Sequence, residues 1–166
     1  KLGWHGAAAN RPAQGSATAN GLDLGVLAEL AAHLPFDDAS RARLAKHAPR
    51  GRVFDLKLDW SNTAGDLSAI EKWTIKSRFE GLGLSALGPV PGMAGLHGKV
   101  SGNEKGGSVT LDGVKTVFEL PTIFADPRLQ LEAFAAEADW RLAADGLQVR
   151  LHKASFHNRD AAGEAS

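Results

Sequence analysis

The chain has 166 residues, 43% hydrophobic and 23% charged, a composition that suits a globular domain with one core. Its 19 Lys and Arg balance 19 Asp and Glu, which disfavours a nucleic-acid binder and an acidic tail. Cysteine is absent, so disulfides, thiolate metal sites and cysteine nucleophiles are excluded together.

The chain starts at Lys1 with no charged leader, apolar signal stretch or lipidation motif, and it reads as a piece of a longer protein. Lys1–Gly6 reads as the end of a strand, and residues 7–20, AAANRPAQGSATAN, as a flexible linker, because they are small and polar with no period. Residues 1–20 thus form a first segment. Residues 21–50 read as a short helical pair. Leu22, Val26, Leu27, Leu30, Ala31 and Leu34 recur at helical spacing behind Asn20 or Asp23 as N-cap, and Pro35 ends the run. A second helix opens at Asp37 or Asp38, carries Ala42, Leu44, Ala45 and Ala48, and stops before Pro49 and Gly51.

From residue 51 to 166 the period becomes two. Phe54, Leu56, Leu58 and Trp60 alternate with Asp55, Lys57 and Asp59, as in a half-exposed antiparallel strand. Trp73, Ile75 and Phe79 repeat the pattern, which returns at 96–100, 109–111, 114–120, 134–142 and 147–151. Gly106-Gly107, Asp112-Gly113 and Asp145-Gly146 read as hairpin dipeptides. The uncharged stretch 81–98 contains six glycines, Pro89 and Pro91, so it reads as a loop with strand ends rather than a membrane span. Apolar parity slips near Gly81, between Leu131 and Phe134, and between Leu151 and Ala154. A β-bulge at each slip keeps the apolar side chains on one face while bending the strand. VFDLKLDW, ending at Trp60, and FAAEADW, ending at Trp140, echo each other. The expected fold is mainly β: a curved antiparallel sheet, as a groove or half-open barrel of about six to eight strands, with the short helical pair at one end or over the groove.

Chemistry finds little support in these residues. His152 and His157, with Asp160 nearby, are the closest approach to a metal site, but five residues apart on an extended strand they face opposite sides unless a bulge realigns them. Asp55, Asp59, Glu80, Glu119 and Glu137 sit beside Lys or Arg partners, as on a solvated sheet surface, and no nucleophile elbow occurs. Gly102–Gly107 lacks the Gly-Lys-Ser/Thr ending of a phosphate loop and reads as a turn. Arg41, Arg43, Lys46, Arg50, Arg52 and Lys57 form a basic run that suits the wet face of a short helix, and it lacks the interleaved aromatics of a nucleic-acid site. No catalytic residue, metal or cofactor is expected.

The apolar sheet face is the feature that needs an explanation. Phe54, Leu56, Leu58, Trp60, Trp73, Ile75, Phe79, Val109, Leu111, Phe118, Leu120, Trp140, Leu142, Leu147, Val149 and Leu151 make it up, each worth about 1.5–3 kcal/mol when buried. Two short helices shield only part of it. Either the sheet folds over into a packed core, or part of the face stays open to an apolar ligand.

The order of several segments carries a family resemblance. LDLGVLAELAAHLP, LAKHAPRGRV, DLKLDW, FEGLGL at Phe79–Leu84, PGMAGLHG at Pro91–Gly98, GGSVTLD at Gly106–Asp112 and VFELPTIFADP together resemble the YhdP branch of the AsmA-like proteins of Gram-negative bacteria, from Leu22 to about Asp160. The resemblance implies a segment of a non-enzymatic, inner-membrane-anchored protein that crosses the periplasm and is built from repeating β-groove units. It also implies phospholipid acyl chains carried between the membranes in the groove, with neighbouring units of the parent chain as partners. The excised segment is expected to self-associate through its sheet edges. The alternative is a non-catalytic scaffold or assembly factor for the outer membrane, in which the apolar face is an ordinary packed core.

Overall fold

A computed structural model describes residues 1–5, 13–31, 38–62, 71–88, 90–121, 127–144 and 146–165. The alternating segments pair into one antiparallel sheet, because consecutive strands with no helix between them connect as hairpins. The elements are β1 (Leu2–His5), β2 (Ala13–Ala19), β3 (Leu22–Asp23), α1 (Leu24–Ala31), α2 (Asp38–His47), β4 (Arg50–Asn62), β5 (Lys72–Leu84), β6 (Gly92–Asn103), β7 (Gly106–Glu119), β8 (Arg128–Ala143), β9 (Gly146–His157) and β10 (Ala162–Ala165). The sheet has ten strands in the order β1-β2-β4-β5-β6-β7-β8-β9-β10, with β3 paired to β4 beside β2, and it is open: β1 and β10 end the path without meeting.

The helical pair follows its local signals from Asp23 onward, whereas Leu22, read as part of the first helix, pairs with Val53 in β3. Asp23 caps α1, its Oδ1 accepting from the Gly25 N–H at 2.9 Å and the Val26 N–H at 3.2 Å. Ala48, at φ 41, closes α2, with its N–H on the Leu44 carbonyl at 3.1 Å. Helix α1 packs on β3, β4 and α2. The expectation at Leu34, Pro35 and Asp37 lies outside the described residues.

Two segments differ from expectation. Ala13–Ala19, read as linker, forms β2 between β1 and β4. Its inward positions are Ala13, Gly15, Ala17 and Ala19, opposite Asn62, Trp60, Leu58 and Leu56. Small residues are required there because the bulk comes from β4, and a strand of small residues shows no hydrophobic period. The other part of the expected linker, residues 7–12, lies outside the described residues. Asp112-Gly113, read as a turn, lies within the continuous strand β7, where Gly113 is buried opposite Phe134.

Two of the three expected bulges are present as register shifts, near Gly81 and between Leu151 and Ala154, and the shifts of the middle strands form a line across the sheet. Register shifts occur in β4/β5, β5/β6, β6/β7 and β8/β9, and Asp55, Gly81, Gly95 and Lys115 along this line have positive φ. The Asp55 N–H is released from the ladder and meets Asn20 Oδ1 at 3.3 Å. Strands β7 and β8 slip together: Gly113 and Thr116 are buried with two exposed residues between them, while Leu131 and Phe134 point inward around the exposed pair Glu132 and Ala133. Their pairing keeps its register because both change parity at the same level. The bend brings the Phe118 and Phe134 rings edge to face, 5.1 Å apart at 71°. Beside them lie the buried side chains Leu96, Thr116 and Leu131. The core is therefore a narrow strip at the bulge line. The accessible surface of 11420 Å² exceeds the roughly 7,900 Å² expected of a compact 17.5 kDa chain.

Candidate functional site

Register decides which side chains share a face, since partners directly opposite in an antiparallel pair point the same way. Across β4 and β5, Leu58 faces Ile75 and Trp60 faces Trp73. Across β6 and β7, Val100 faces Val109 and Gly98 faces Leu111. Across β8 and β9, Trp140 faces Val149 and Leu142 faces Leu147, with Leu151 opposite Ala138. Following these ladders places Leu56, Leu58, Trp60, Trp73, Ile75, Phe79, Val109, Leu111, Phe118, Trp140, Leu142, Leu147, Val149 and Leu151 on one face. Leu120 lies just beyond β7, its N–H on the Pro127 carbonyl at 2.7 Å.

Phe54 is on the other face. The bulge at Asp55 reverses parity, so Val53 pairs with Phe79 inward, while Phe54 pairs with Arg78 outward. There the Arg78 guanidinium stacks over the Phe54 ring at 4.6 Å. Arg78 also meets Asp55 at 3.7 Å and pairs with Glu80. Phe54 therefore supports a surface ion-pair group and does not line the apolar face.

The face also contains residues that alternation alone did not nominate: Val53, Leu82, Leu84, Met93, Leu96, Leu131 and Phe134. Val53, Leu82, Leu84, Met93 and Leu96 lie next to a register shift or beyond one, and Leu131 and Phe134 flank the parity change of β8, so a count of two from the nearest obvious strand misses them. The usable signal was a pair of adjacent apolar residues, as at Val53-Phe54, which marks a bulge when one of them must face water.

Bulky rings on the face lie over glycines. Trp60 is opposite Gly15, Phe79 opposite Gly98, Trp140 opposite Gly107 and Phe156 opposite Gly163. At each of these glycines an added Cβ would run into the partner's ring. The rings lie down along the sheet instead of standing off it, covering backbone that glycine leaves bare. The result is a low, continuous apolar lining.

This lining is sealed unevenly. Phe79, Leu96, Leu131 and Ala136 are buried near the bulge line, yet on β8 and β9 Leu142 is 61%, Leu147 64%, Val149 65% and Leu151 51% exposed. Among the described residues the helices pack against β3, β4 and each other, away from β6, β7, β8 and β9. The face thus remains open along one flank among the described residues.

The opposite face carries the charges. His152 Nε2 meets Asp139 Oδ2 at 2.6 Å, His157 Nδ1 meets Glu132 Oε2 at 3.2 Å, and Arg128 meets Glu119 at 3.0 Å. The two histidines engage different carboxylates, and no group of three or more His, Asp or Glu residues forms a metal-binding cluster among the described residues. No described helix is long and apolar enough to cross a membrane.

A bulged, two-faced open sheet with one apolar face is the architecture expected of a β-groove protein, and the family model for the YhdP protein matches residues 1–166, the whole chain. The chain belongs to the YhdP family. No curated protein and no solved structure matches it. YhdP membership makes it an AsmA-like envelope protein of the Gram-negative type, a family that is generally non-enzymatic. The open antiparallel sheet with two short helices near its start agrees with that assignment.

Proposed function

We propose that this YhdP-family chain is a segment of an inner-membrane-anchored protein that crosses the periplasm, and that its apolar face carries phospholipid acyl chains between the inner and outer membranes. The observation that supports this most is the exposed flank Leu142, Leu147, Val149 and Leu151, on the same face as the buried strip around Leu96 and Leu131. An acyl chain laid there leaves water at a gain of about 0.8 kcal/mol per CH₂ covered, while its headgroup stays at the wet rim. The process is binding without bond making or breaking, and no residue is given a catalytic role. The sheet edges at β1 and β10 are where neighbouring groove units of the parent chain pair, and where copies of the isolated segment associate.

A photo-crosslinking residue at Leu58, Ile75 or Val149 of the parent protein in cells tests the reading. Phospholipid adducts at these positions are expected. Adducts with protein alone would reject the conduit and leave a scaffold whose apolar face is a packing surface. For the edges, light scattering of the isolated segment is expected to show concentration-dependent association, and a strict monomer at high concentration counts against it.

A further inference from the structure

The polar face contains an arrangement that neither the fold nor lipid carriage calls for. Lys57 on β4 stands directly opposite Lys76 on β5. Lys99 on β6 lies diagonally from Lys76, opposite Arg78. Like charges facing across a ladder destabilise the pair, and a sheet surface normally alternates signs, as Glu137 and Lys153 do between β8 and β9. Arg78 is neutralised by Asp55 and Glu80. None of the three lysines has an ion-pair partner among the described residues.

Hydroxyls complete the arrangement. Ser101 is opposite Lys76 and also opposite Ser108, and Thr110 is opposite Lys99. These side chains and the lysines line one depression of about 520 Å³ on the polar face. On β8, Asp139 opposite Ser108 and Glu137 opposite Thr110 bound it with negative charge. On β4, Asp59 stands one row further along, opposite Thr74. Positive charge is thus concentrated on a patch three strands wide with hydroxyl donors on its floor, and Asp55, which also lines the depression, is paired with Arg78.

We propose that Lys57, Lys76 and Lys99, with the Ser101, Ser108 and Thr110 hydroxyls, bind a phosphate-type oxyanion on the polar face. Ammonium groups supply the charge, hydroxyls donate to the remaining oxygens, and the bound anion relieves the Lys57–Lys76 repulsion. The proposal is independent of the lipid conduit, because the sheet separates the two faces. The phosphate comes either from free phosphate and small phosphate esters or from headgroups of an anionic lipid surface.

Thermal unfolding of the folded chain in sodium phosphate, against sodium chloride at matched ionic strength, tests the site. The midpoint is expected to rise by about 3–5 °C when phosphate stands at about ten times its dissociation constant. Lys76→Thr removes the like-charge pair, so it is expected to melt higher than wild type in chloride and to lose the phosphate increment. Lys153→Thr, on the same face outside the patch, is expected to keep it. If Lys76→Thr does not fold, Lys99→Ser serves the same comparison. An equal increment in all variants means a general salt effect and overturns the proposal, as does no increment in wild type. Sedimentation with phosphatidylglycerol and phosphatidylcholine vesicles then separates the sources. Preference for phosphatidylglycerol, competed by inorganic phosphate and lost in Lys76→Thr, identifies a lipid surface. An increment without vesicle binding identifies free phosphate or a small ester. Equal binding to both vesicles with no increment reports the apolar face alone and overturns the site.

Discussion

Trp140 lies across Gly107, its directly opposed partner on the next strand, so that a Cβ added at Gly107 would stand 2.5 Å from Cζ2 of the ring. The same ring covers Gly102 one strand further, where an added Cβ would be 2.8 Å from Cζ2. One indole therefore roofs the backbone of two strands, and at Gly107 the Ser101 carbonyl of the neighbouring strand closes the same space. Gly107→Ala is expected to lift the ring and to cost about 1–3 kcal/mol, the range for overpacking a filled site, measured as a lower urea midpoint with unchanged m-value. Gly146, where an added Cβ would meet no atom within 4 Å, gives a contrast in space but not in backbone, since its φ is 126. Gly3, where an added Cβ would meet only Ser16 atoms, the nearer being Oγ at 3.0 Å, is the cleaner control, and Gly3→Ala is expected to change stability by no more than about 0.5 kcal/mol.

Val149 and Phe54 separate the two faces experimentally. Val149 is 65% exposed on the apolar face, so Val149→Lys should alter stability by only about 0.5 kcal/mol while placing a charge where acyl chains lie. The expected outcome is a clear loss of phospholipid copurifying with the parent protein. Phe54→Lys puts the same charge on the polar face, beside Arg78, and lipid recovery is expected to stay at the wild-type level. Equal losses from both variants would mean that the lipid signal does not depend on which face is charged.

Much of the sheet was legible because alternation survives wherever a strand is long and its inward residues are bulky, as at Leu56, Leu58 and Trp60 or at Leu147, Val149 and Leu151. The bulge in β9 was legible too, from the odd-to-even change between Leu151 and Ala154, and the structure places it between the pairs Glu137–Lys153 and Ala138–Leu151. Strand β2 was hidden because its inward residues are alanine and glycine, sized by the Trp60 and Leu58 they face. Such a strand is specified by its partner. Phe54 was misplaced because Val53 and Phe54 are both apolar, and only the register shift after Phe54 tells which one turns inward. The use of Asp112-Gly113 inside a strand depends on Gly113 leaving room for Thr116, whose Oγ1 occupies the position of its missing Cβ. That relation exists only after β7 has bent.

Lys115 holds φ 56 at the bulge of β7 and its side chain is exposed. A non-glycine residue in this left-handed region costs about 1–2 kcal/mol, and Lys115 has no ion pair among the described residues to offset it. Lys115→Gly removes the steric cost and gives back part of it as chain entropy. The net expectation is a gain of about 0.5–1 kcal/mol, seen as a thermal midpoint about 1–4 °C higher. Asp55, at φ 53, is the instructive contrast: its carboxylate faces Arg78, so Asp55→Gly is expected to gain less than Lys115→Gly.

Thr116 is the most sealed side chain of the core strip, 0% exposed, and its Oγ1 has no hydrogen-bond partner among the described residues. It sits opposite Leu131 on β8 and under the bend that brings Phe118 to Phe134. A buried hydroxyl left unpaired costs about 1–3 kcal/mol relative to one that is hydrogen-bonded or absent. Valine keeps the β-branched shape and replaces only the hydroxyl by a methyl group. Thr116→Val is therefore expected to stabilise the sheet by about 1 kcal/mol, read as a higher urea midpoint at unchanged m-value. Thr116→Ser keeps the hydroxyl and deletes the methyl, so it is expected to destabilise by about 1 kcal/mol through the lost apolar contact. A loss of stability in Thr116→Val would show that the hydroxyl is satisfied in solution, and that the strip at the bulge line is held by a polar contact as well as by packing.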